Sequence, residues 1–342
     1  MATTILGLDV GGANLKAATA GAGSPATPPR AVSVPFALWK QPDKLPAALA
    51  ELVAQFPDAD ELAVTMTGEL CDCFETKREG VQAIIDAAKV AAGGRPIHVW
   101  STDGAFLRPD EARAHHMKVA AANWHALATF AGRWAPHYGG VLIDVGSTTT
   151  DLIPLNHGVP STYGATDFDR LQMRELVYAG VRRTPVCAVW SDQVCAELFA
   201  TTQDVYTLLG LLREEPDNRD TADGRPMTTE NAIARLARML GGDHEQLSDD
   251  QVIHFATRVH AELRERLVKS ARSAYLTAQE PPELRTVIVS GAGEFLARQV
   301  AARAFPSVSA ERIISLTAEL GPEVSACAPA YACAVLATEM RP

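Results

Sequence analysis

Apolar runs of strand length alternate along the chain with longer stretches in which apolar residues recur at helical spacing. The first strand reads from Thr3 to Val10, closed by an aspartate and two glycines, with a Gly/Pro-rich turn or loop over Gly21–Arg30. A helix over Lys44–Gln55, a strand at Leu62–Met66, a helix over Val81–Ala91 and a strand at Pro96–Trp100 follow. One long Ala-rich helix is expected over Ala112–Trp134. The pattern restarts at Tyr138-Gly139-Gly140, with a strand at Val141–Val145 and its partner at Asp151–Leu155. Helices are then expected around Asp167–Ala179, Thr202–Leu212, Thr228–Leu240 and Asp249–Ala278, with a polar surface loop at Arg213–Arg225. A strand at Arg285–Ser290, a helix at Glu294–Ala304, a strand at Arg312–Ser315 and a helix at Val324–Thr338 close the chain. Apolar strands alternating with helices predict an α/β architecture with covered sheets.

The restart is a repeat. Leu6-Gly7-Leu8-Asp9-Val10-Gly11-Gly12-Ala13-Asn14 lies over Val141-Leu142-Ile143-Asp144-Val145-Gly146-Ser147-Thr148-Thr149, with Asp9 on Asp144. Each copy ends an apolar strand on an aspartate, turns through small residues and enters a second strand, carrying Lys16 in one and Asp151 in the other. Glycine turns bring backbone N–H groups close to phosphate oxygens, and hydroxyls add donors. Gly11, Gly12, Asn14 and Lys16, with Gly146, Ser147, Thr148 and Thr149, are therefore the candidate phosphate-binding residues. Asp9 and Asp144 suit Mg²⁺, directly or through water. Two hairpins whose glycines only serve turn geometry would need none of this, but the duplication weighs against that reading. A third element, Ser290-Gly291-Ala292-Gly293-Glu294, opens a strand into a helix whose N-terminus can meet an anion or a nucleoside.

Composition narrows the partners. The 342 residues carry a net charge of −10, which disfavours a nucleic acid and leaves a small anion open. Length suggests about two domains. No apolar stretch approaches a membrane span, and Met1-Ala2-Thr3-Thr4 does not open a signal peptide. Six cysteines without a Cys-x-x-Cys pair support neither a disulfide scaffold nor zinc, so a soluble cytoplasmic chain is expected. A homo-oligomer is left open.

The three elements in this order resemble the acetate/sugar kinase–Hsp70–actin superfamily. That resemblance implies two ribonuclease-H-like lobes with a cleft between them: residues 1–138, completed by a C-terminal helix over 323–342, and residues 139–322. More specific stretches are Thr65-Met66-Thr67-Gly68-Glu69-Leu70, Lys77-Arg78-Glu79-Gly80-Val81, Ala121-Ala122-Asn123-Trp124, Tyr163-Gly164-Ala165-Thr166-Asp167 and Gly180-Val181-Arg182-Arg183-Thr184-Pro185. Together they resemble the hydantoinase/oxoprolinase-related proteins of the tetrahydromethanopterin-linked one-carbon pathway.

The resemblance implies a Mg²⁺-dependent transferase of methanofuran biosynthesis. It would join (aminomethyl)furanmethyl diphosphate to γ-glutamyltyramine through an aryl ether and release pyrophosphate. Asp9 and Asp144 would hold the metal, and Asp151 would serve as base toward the phenol. Thr67, Gly68, Glu69, Lys77, Arg78, Asn123, Asp167, Arg170, Ser290, Gly291, Gly293 and Glu294 would line the substrate cleft. Glu69, Lys77 and Arg78 equally suit a solvated loop, and Asp167 with Arg170 a helix start with a local ion pair. Arg174-Glu175-Leu176 departs from the family's Gly-Glu-Leu. Two other readings compete: an ATP-dependent small-molecule kinase or ATPase of the same fold, and a non-catalytic nucleotide or diphosphate sensor.

Overall fold

The computed structural model describes residues 3–20, 28–278 and 283–340; residues 21–27 of the expected Gly21–Arg30 loop lie outside them. Strands β1 (Ile5–Val10), β2 (Asn14–Thr19), β3 (Ala31–Pro35), β4 (Glu61–Met66), β5 (Ile97–Trp100) and β6 (Phe106–Leu107) form one sheet in the order β3-β2-β1-β4-β5-β6. Strands β7 (Gly139–Val145), β8 (Thr150–Asn156), β10 (Leu176–Val177), β11 (Leu284–Ser290) and β12 (Ile313–Ser315) form the second in the order β10-β8-β7-β11-β12, with β9 (Val159–Pro160) paired to β8. The repeat read from sequence is thus a repeat of topology. β1 and β7 each take an antiparallel hairpin partner on one side, β2 or β8, and a parallel strand on the other, β4 or β11. Every residue of β1 is buried, as a central strand covered on both faces requires.

Between the sheets lie the helices Asn123–Ala131 and Ala328–Glu339, in a core of Trp124, Leu127, Phe130, Leu142, Ile153, Ile288 and Leu336. The C-terminal helix is apolar on nearly all sides because it is buried on nearly all sides. Gly7 makes its close approach to β1 feasible: a Cβ there would stand 1.8 Å from the Ala330 carbonyl oxygen.

Three expected helices are broken. The stretch Ala112–Trp134 divides into Pro109–Ala114, His116–Val119 and Asn123–Ala131, with Ala121 at φ 49° between the last two. Alanine's high helix propensity was overridden there by tertiary packing. The C-terminal helix is split at Cys327 by Pro329 at the start of its second part. Around Asp167 the helix stops at Gln172, and the chain turns at Arg174, φ 59°, to enter β10.

Arg174 takes a left-handed backbone, a conformation that glycine adopts without a Cβ penalty. Replacing the exposed Arg174 with glycine is expected to leave activity intact and to raise stability by up to about 1 kcal/mol. Chemical denaturation of the two proteins checks this; a destabilised glycine variant would show that the Arg174 side chain contributes more than its backbone costs.

Candidate functional site

Both aspartates of the repeat sit at the carboxyl ends of central strands, and the register gives them matching neighbours. Asp9 stands opposite Lys16 on β2 and beside Thr65 on β4. Asp144 stands opposite Asp151 on β8 and beside Ser290 on β11. In each half, then, a strand-end aspartate faces one hairpin residue and one hydroxyl residue of the parallel neighbour. The turns match as well: the Gly11 N–H donates to the Asn14 carbonyl at 3.0 Å, and the Gly146 N–H to the Thr149 carbonyl at 2.8 Å.

The electrostatics show that the two hairpins converge. Burial pushes Asp9 above the usual carboxylate range, against the pull of Lys16. Burial and the Asp151 charge push Asp144 up to about 7, again against Lys16, while Asp9 adds to the rise. Lys16 therefore acts on both carboxylates across the two sheets. Asp9 Oδ1 and Thr65 Oγ1 are buried and find no partner among the described residues, while Asp144 Oδ1 and Ser290 Oγ, also buried, have only each other. Buried polar atoms so poorly supported are costly unless a ligand or ion completes them.

The second turn is pinned from outside. Val181 N–H donates to the Gly146 carbonyl, and the Arg182 and Arg183 N–H groups both donate to that of Ser147, each at 3.0 Å. Gly180 allows this, because a Cβ there would stand 2.6 Å from Thr148 N. Gly291, at φ 90°, fits equally closely: its Cβ would stand 2.6 Å from Asp144 Oδ1. On the first turn, Gly68 packs against the Val10 carbonyl, Thr67 N–H donates to that same oxygen, and Cys71 Sγ lies against Gly12.

A second cluster lies alongside. Glu69, 1% exposed, is pushed up to about 7 by burial, with Lys77 acting against the rise and Asp167 adding to it. Asp167 is itself raised by burial, against Lys77 and Arg170. Tyr178 is raised by burial and by Asp167, Cys71 and Glu69, so these groups share one locality. Arg183 reaches the first half of the chain by stacking over Trp39, 4.6 Å from the ring centroid.

Several cleft candidates are placed elsewhere than the sequence reading had them. Asp151 is engaged inside the protein: Arg170, 1% exposed, holds its Oδ1 at 2.7 Å and lies 4.0 Å from the Trp124 ring centroid. Arg170 is consequently a buried link and not a surface for substrate. Glu294 accepts from the Ser315 hydroxyl, from Thr317 N–H at 3.2 Å and from Arg298 at 3.2 Å, which uses its carboxylate to tie the helix it opens to the segment after β12. Arg78 is exposed and lies near His116, away from Glu69. Asn123 accepts from the Trp124 N–H of its own helix at 2.7 Å. Thr65, Tyr178, Gly180 and Arg183 were missing from the sequence-based site. The Thr65–Leu70 and Gly180–Pro185 stretches carried a signal for three of these, and Tyr178 had none, because register and proximity across the two sheets are invisible in a linear pattern.

A family model described as hydantoinase/oxoprolinase matches residues 60–340. The chain belongs to the hydantoinase/oxoprolinase family. Among its relatives is a (4-{4-[2-(γ-L-glutamylamino)ethyl]phenoxymethyl}furan-2-yl)methanamine synthase of Methanocaldococcus jannaschii, 33% identical over 98% of both chains. A protein of the same name from Methanococcus vannielii is 29% identical over 57% of this chain and 89% of its own. Among solved structures, a nucleotide-free acetone carboxylase aligns with a TM-score of 0.53 at 12% identity, over 98% of this chain and 70% of that one. The hydantoinase/oxoprolinase chain thus has the expected α/β fold of the acetate/sugar kinase–Hsp70–actin type, built on two sheets.

Among the described residues of this family member, no group of three or more His, Cys, Asp and Glu side chains could hold a metal. An all-protein metal cage is therefore not what the site offers. Two carboxylates in one locality, each with a shielded oxygen, do fit Mg²⁺, which keeps waters and binds through one or two carboxylates together with substrate phosphates. No helix among the described residues is long and apolar enough to cross a membrane.

Proposed function

We propose that this chain is a Mg²⁺-dependent transferase that joins (aminomethyl)furanmethyl diphosphate to γ-glutamyltyramine, forming an aryl ether and releasing pyrophosphate. The observation that carries this reading is the 33% identity to the Methanocaldococcus jannaschii synthase, end to end in both chains. Residues 1–138 with the C-terminal helix form one lobe and residues 139–322 the other; the two sheets support that division.

The diphosphate lies between the hairpin turns that the Gly11 and Gly146 N–H groups close, held by the backbone N–H groups of Gly12 and Asn14, by the hydroxyls of Ser147, Thr148 and Thr149, and by the Lys16 ammonium. Asp9 and Asp144 hold Mg²⁺, which when bound offsets the charge of the leaving diphosphate. The electron-rich furan supports positive charge at the adjacent carbon, so stabilising the leaving group is the main task of the site. Thr65 and Ser290 complete the floor beside the two aspartates, and Thr67, Gly68 and Gly291 set its shape. The acceptor enters from the side of Glu69, Lys77, Asp167 and Tyr178. The locality is that of a soluble cytoplasmic enzyme acting on small molecules.

A mass-spectrometric turnover assay with Mg²⁺, the furanylmethyl diphosphate and γ-glutamyltyramine tests the proposal, run with and without ATP. Ether and pyrophosphate are expected without ATP. Absence of ether with ADP accumulating would make the same hairpins a kinase site.

A further inference from the structure

The two halves of the chain repeat more than their hairpins. Glu69 follows the strand-end hydroxyl residue Thr65 by four positions, and Glu294 follows Ser290 by four. Each glutamate comes directly after a glycine, Gly68 or Gly293, packed on the strand-end valine of its half, Val10 or Val145. Their fates differ. Glu294 spends its carboxylate on Ser315, Thr317 and Arg298. Glu69 is 1% exposed, and neither of its carboxylate oxygens has a partner in ordinary hydrogen-bond geometry among the described residues.

A buried carboxylate supported only by its own backbone and that of Ala121, with no side-chain partner, is a costly feature for a fold to carry. Here it is also held rigidly. A Cβ on Gly80 would stand 2.4 Å from the Glu69 carbonyl oxygen, so that glycine seats the short turn Gly68–Leu70 directly on the first turn of the helix Lys77–Ala92. Ala121 takes a positive φ of 49° nearby, with its backbone acting on the Glu69 carboxylate. A positive-φ backbone beside a rigidly seated buried carboxylate is what a preorganised reacting group shows. Glu69 also lies two residues beyond Thr67, whose N–H is bonded to the end of β1 beside the first diphosphate turn. On its other side are Asp167 and Tyr178 from the second half of the chain.

Resting on the transferase reading above, we propose that Glu69 is the general base of ether formation. Its carboxylate takes the phenol proton as the phenol oxygen bonds to the furanylmethyl carbon; the bond from that carbon to the diphosphate oxygen breaks, and its electron pair leaves with pyrophosphate. The proton passes to solvent when product is released. Asp151, the other carboxylate with access to this region, is already committed to Arg170. The ordinary phenol pKa is about 10, so at neutral pH the proton must be moved during the reaction. Glu69, poised at about 7, matches that task. The charged and titratable groups that face it are Lys77, Asp167, Cys71 and Tyr178.

The test compares wild type with Glu69→Gln and Glu69→Asp, using γ-glutamyltyramine and ring-fluorinated acceptors whose phenols ionise near neutrality. Glu69→Gln is expected to lower kcat roughly 10²–10⁴-fold at pH 7 with the ordinary acceptor. The loss should shrink with the fluorinated acceptors and with rising pH, since a phenolate needs no base. Glu69→Asp should retain part of the activity. An equal loss at every pH and with every acceptor would overturn the role, as would unchanged kcat. A rise in donor KM alone would also overturn it and assign Glu69 to the aminomethyl group of the donor.

Stability provides a readout that does not depend on turnover. Glu69 has a folded pKa of about 7 against an ordinary value of 4.5, so its ionisation weakens the folded state as pH rises from about 4.5 through about 7. Glu69→Gln should remove that share of the pH dependence and melt no lower than wild type at pH 8. A lower melting temperature would mean the carboxylate is a structural partner and would overturn the proposal. Wild type that forms ether with no acceptor would instead sink the transferase reading, and the base role with it.

Discussion

Asp144→Asn is expected to lower ether formation by roughly 10²–10³-fold or more while leaving the ligand-free protein at least as stable as wild type. The two effects have one cause. Asp144 is half-buried, stands opposite Asp151 and has a shielded oxygen whose only protein partner is the Ser290 hydroxyl, so in the proposed reaction its negative charge would be used when diphosphate and Mg²⁺ arrive. Its folded pKa is raised, to about 7 from 3.8. The sign follows: a proton is bound more tightly in the folded state, so stability is greatest below the unfolded value. It is lost as pH rises through the folded one. Asparagine cannot ionise and should flatten that fall. Thermal melts at pH 5 and pH 8, paired with turnover, measure both. Full activity in Asp144→Asn and in Asp9→Asn would remove both aspartates from the mechanism. A lower melting temperature at pH 8 would show that the Asp144 charge is satisfied inside the protein.

The largest loss of stability is expected from Arg170→Met. The guanidinium is buried beneath Trp124, holds Asp151 at 2.7 Å, donates to the Glu175 carbonyl at 3.2 Å and lies 4.0 Å from Asp167. Methionine fills similar space but leaves two shielded carboxylates without their cation. Breaking one side of such a buried arrangement costs about 3–5 kcal/mol, a Tm decrease on the order of 10 °C. Adding Asp151→Asn should recover much of the loss, because the stranded charge is then gone. Calorimetry on the single and double variants decides the matter. An Arg170→Met protein that melts with wild type would mean the pair is solvated and Arg170 is available to substrate.

Much of the architecture was legible in the chain itself. Strand-length apolar runs ending in aspartate and glycine had little alternative to buried strands with tight turns, and their recurrence at residue 139 identified two related halves. The helix breaks at Ala121, Arg174 and Cys327 were less legible. At Ala121 a strong helix former was placed in a left-handed conformation by its surroundings, and no local propensity announces that. At Arg174 an ordinary side chain sits at a positive φ, which the residue type does not announce either.

The site divides along the same line. That Asp9, Asp144 and the small residues beside them sit in two matching strand-end turns was determined by the sequence, because such turns are local and are specified by neighbours in the chain. Which carboxylates are free was decided only by the tertiary structure. Asp151, Glu69 and Glu294 are the same kind of group in the sequence. Folding pairs Asp151 with an arginine nineteen residues away. It ties Glu294 to Ser315 and leaves Glu69 buried with no side-chain partner for either oxygen. Availability for chemistry depends on what surrounds a charge in three dimensions, through desolvation and the partners within a few ångströms, and those distances exist only once the two sheets have packed.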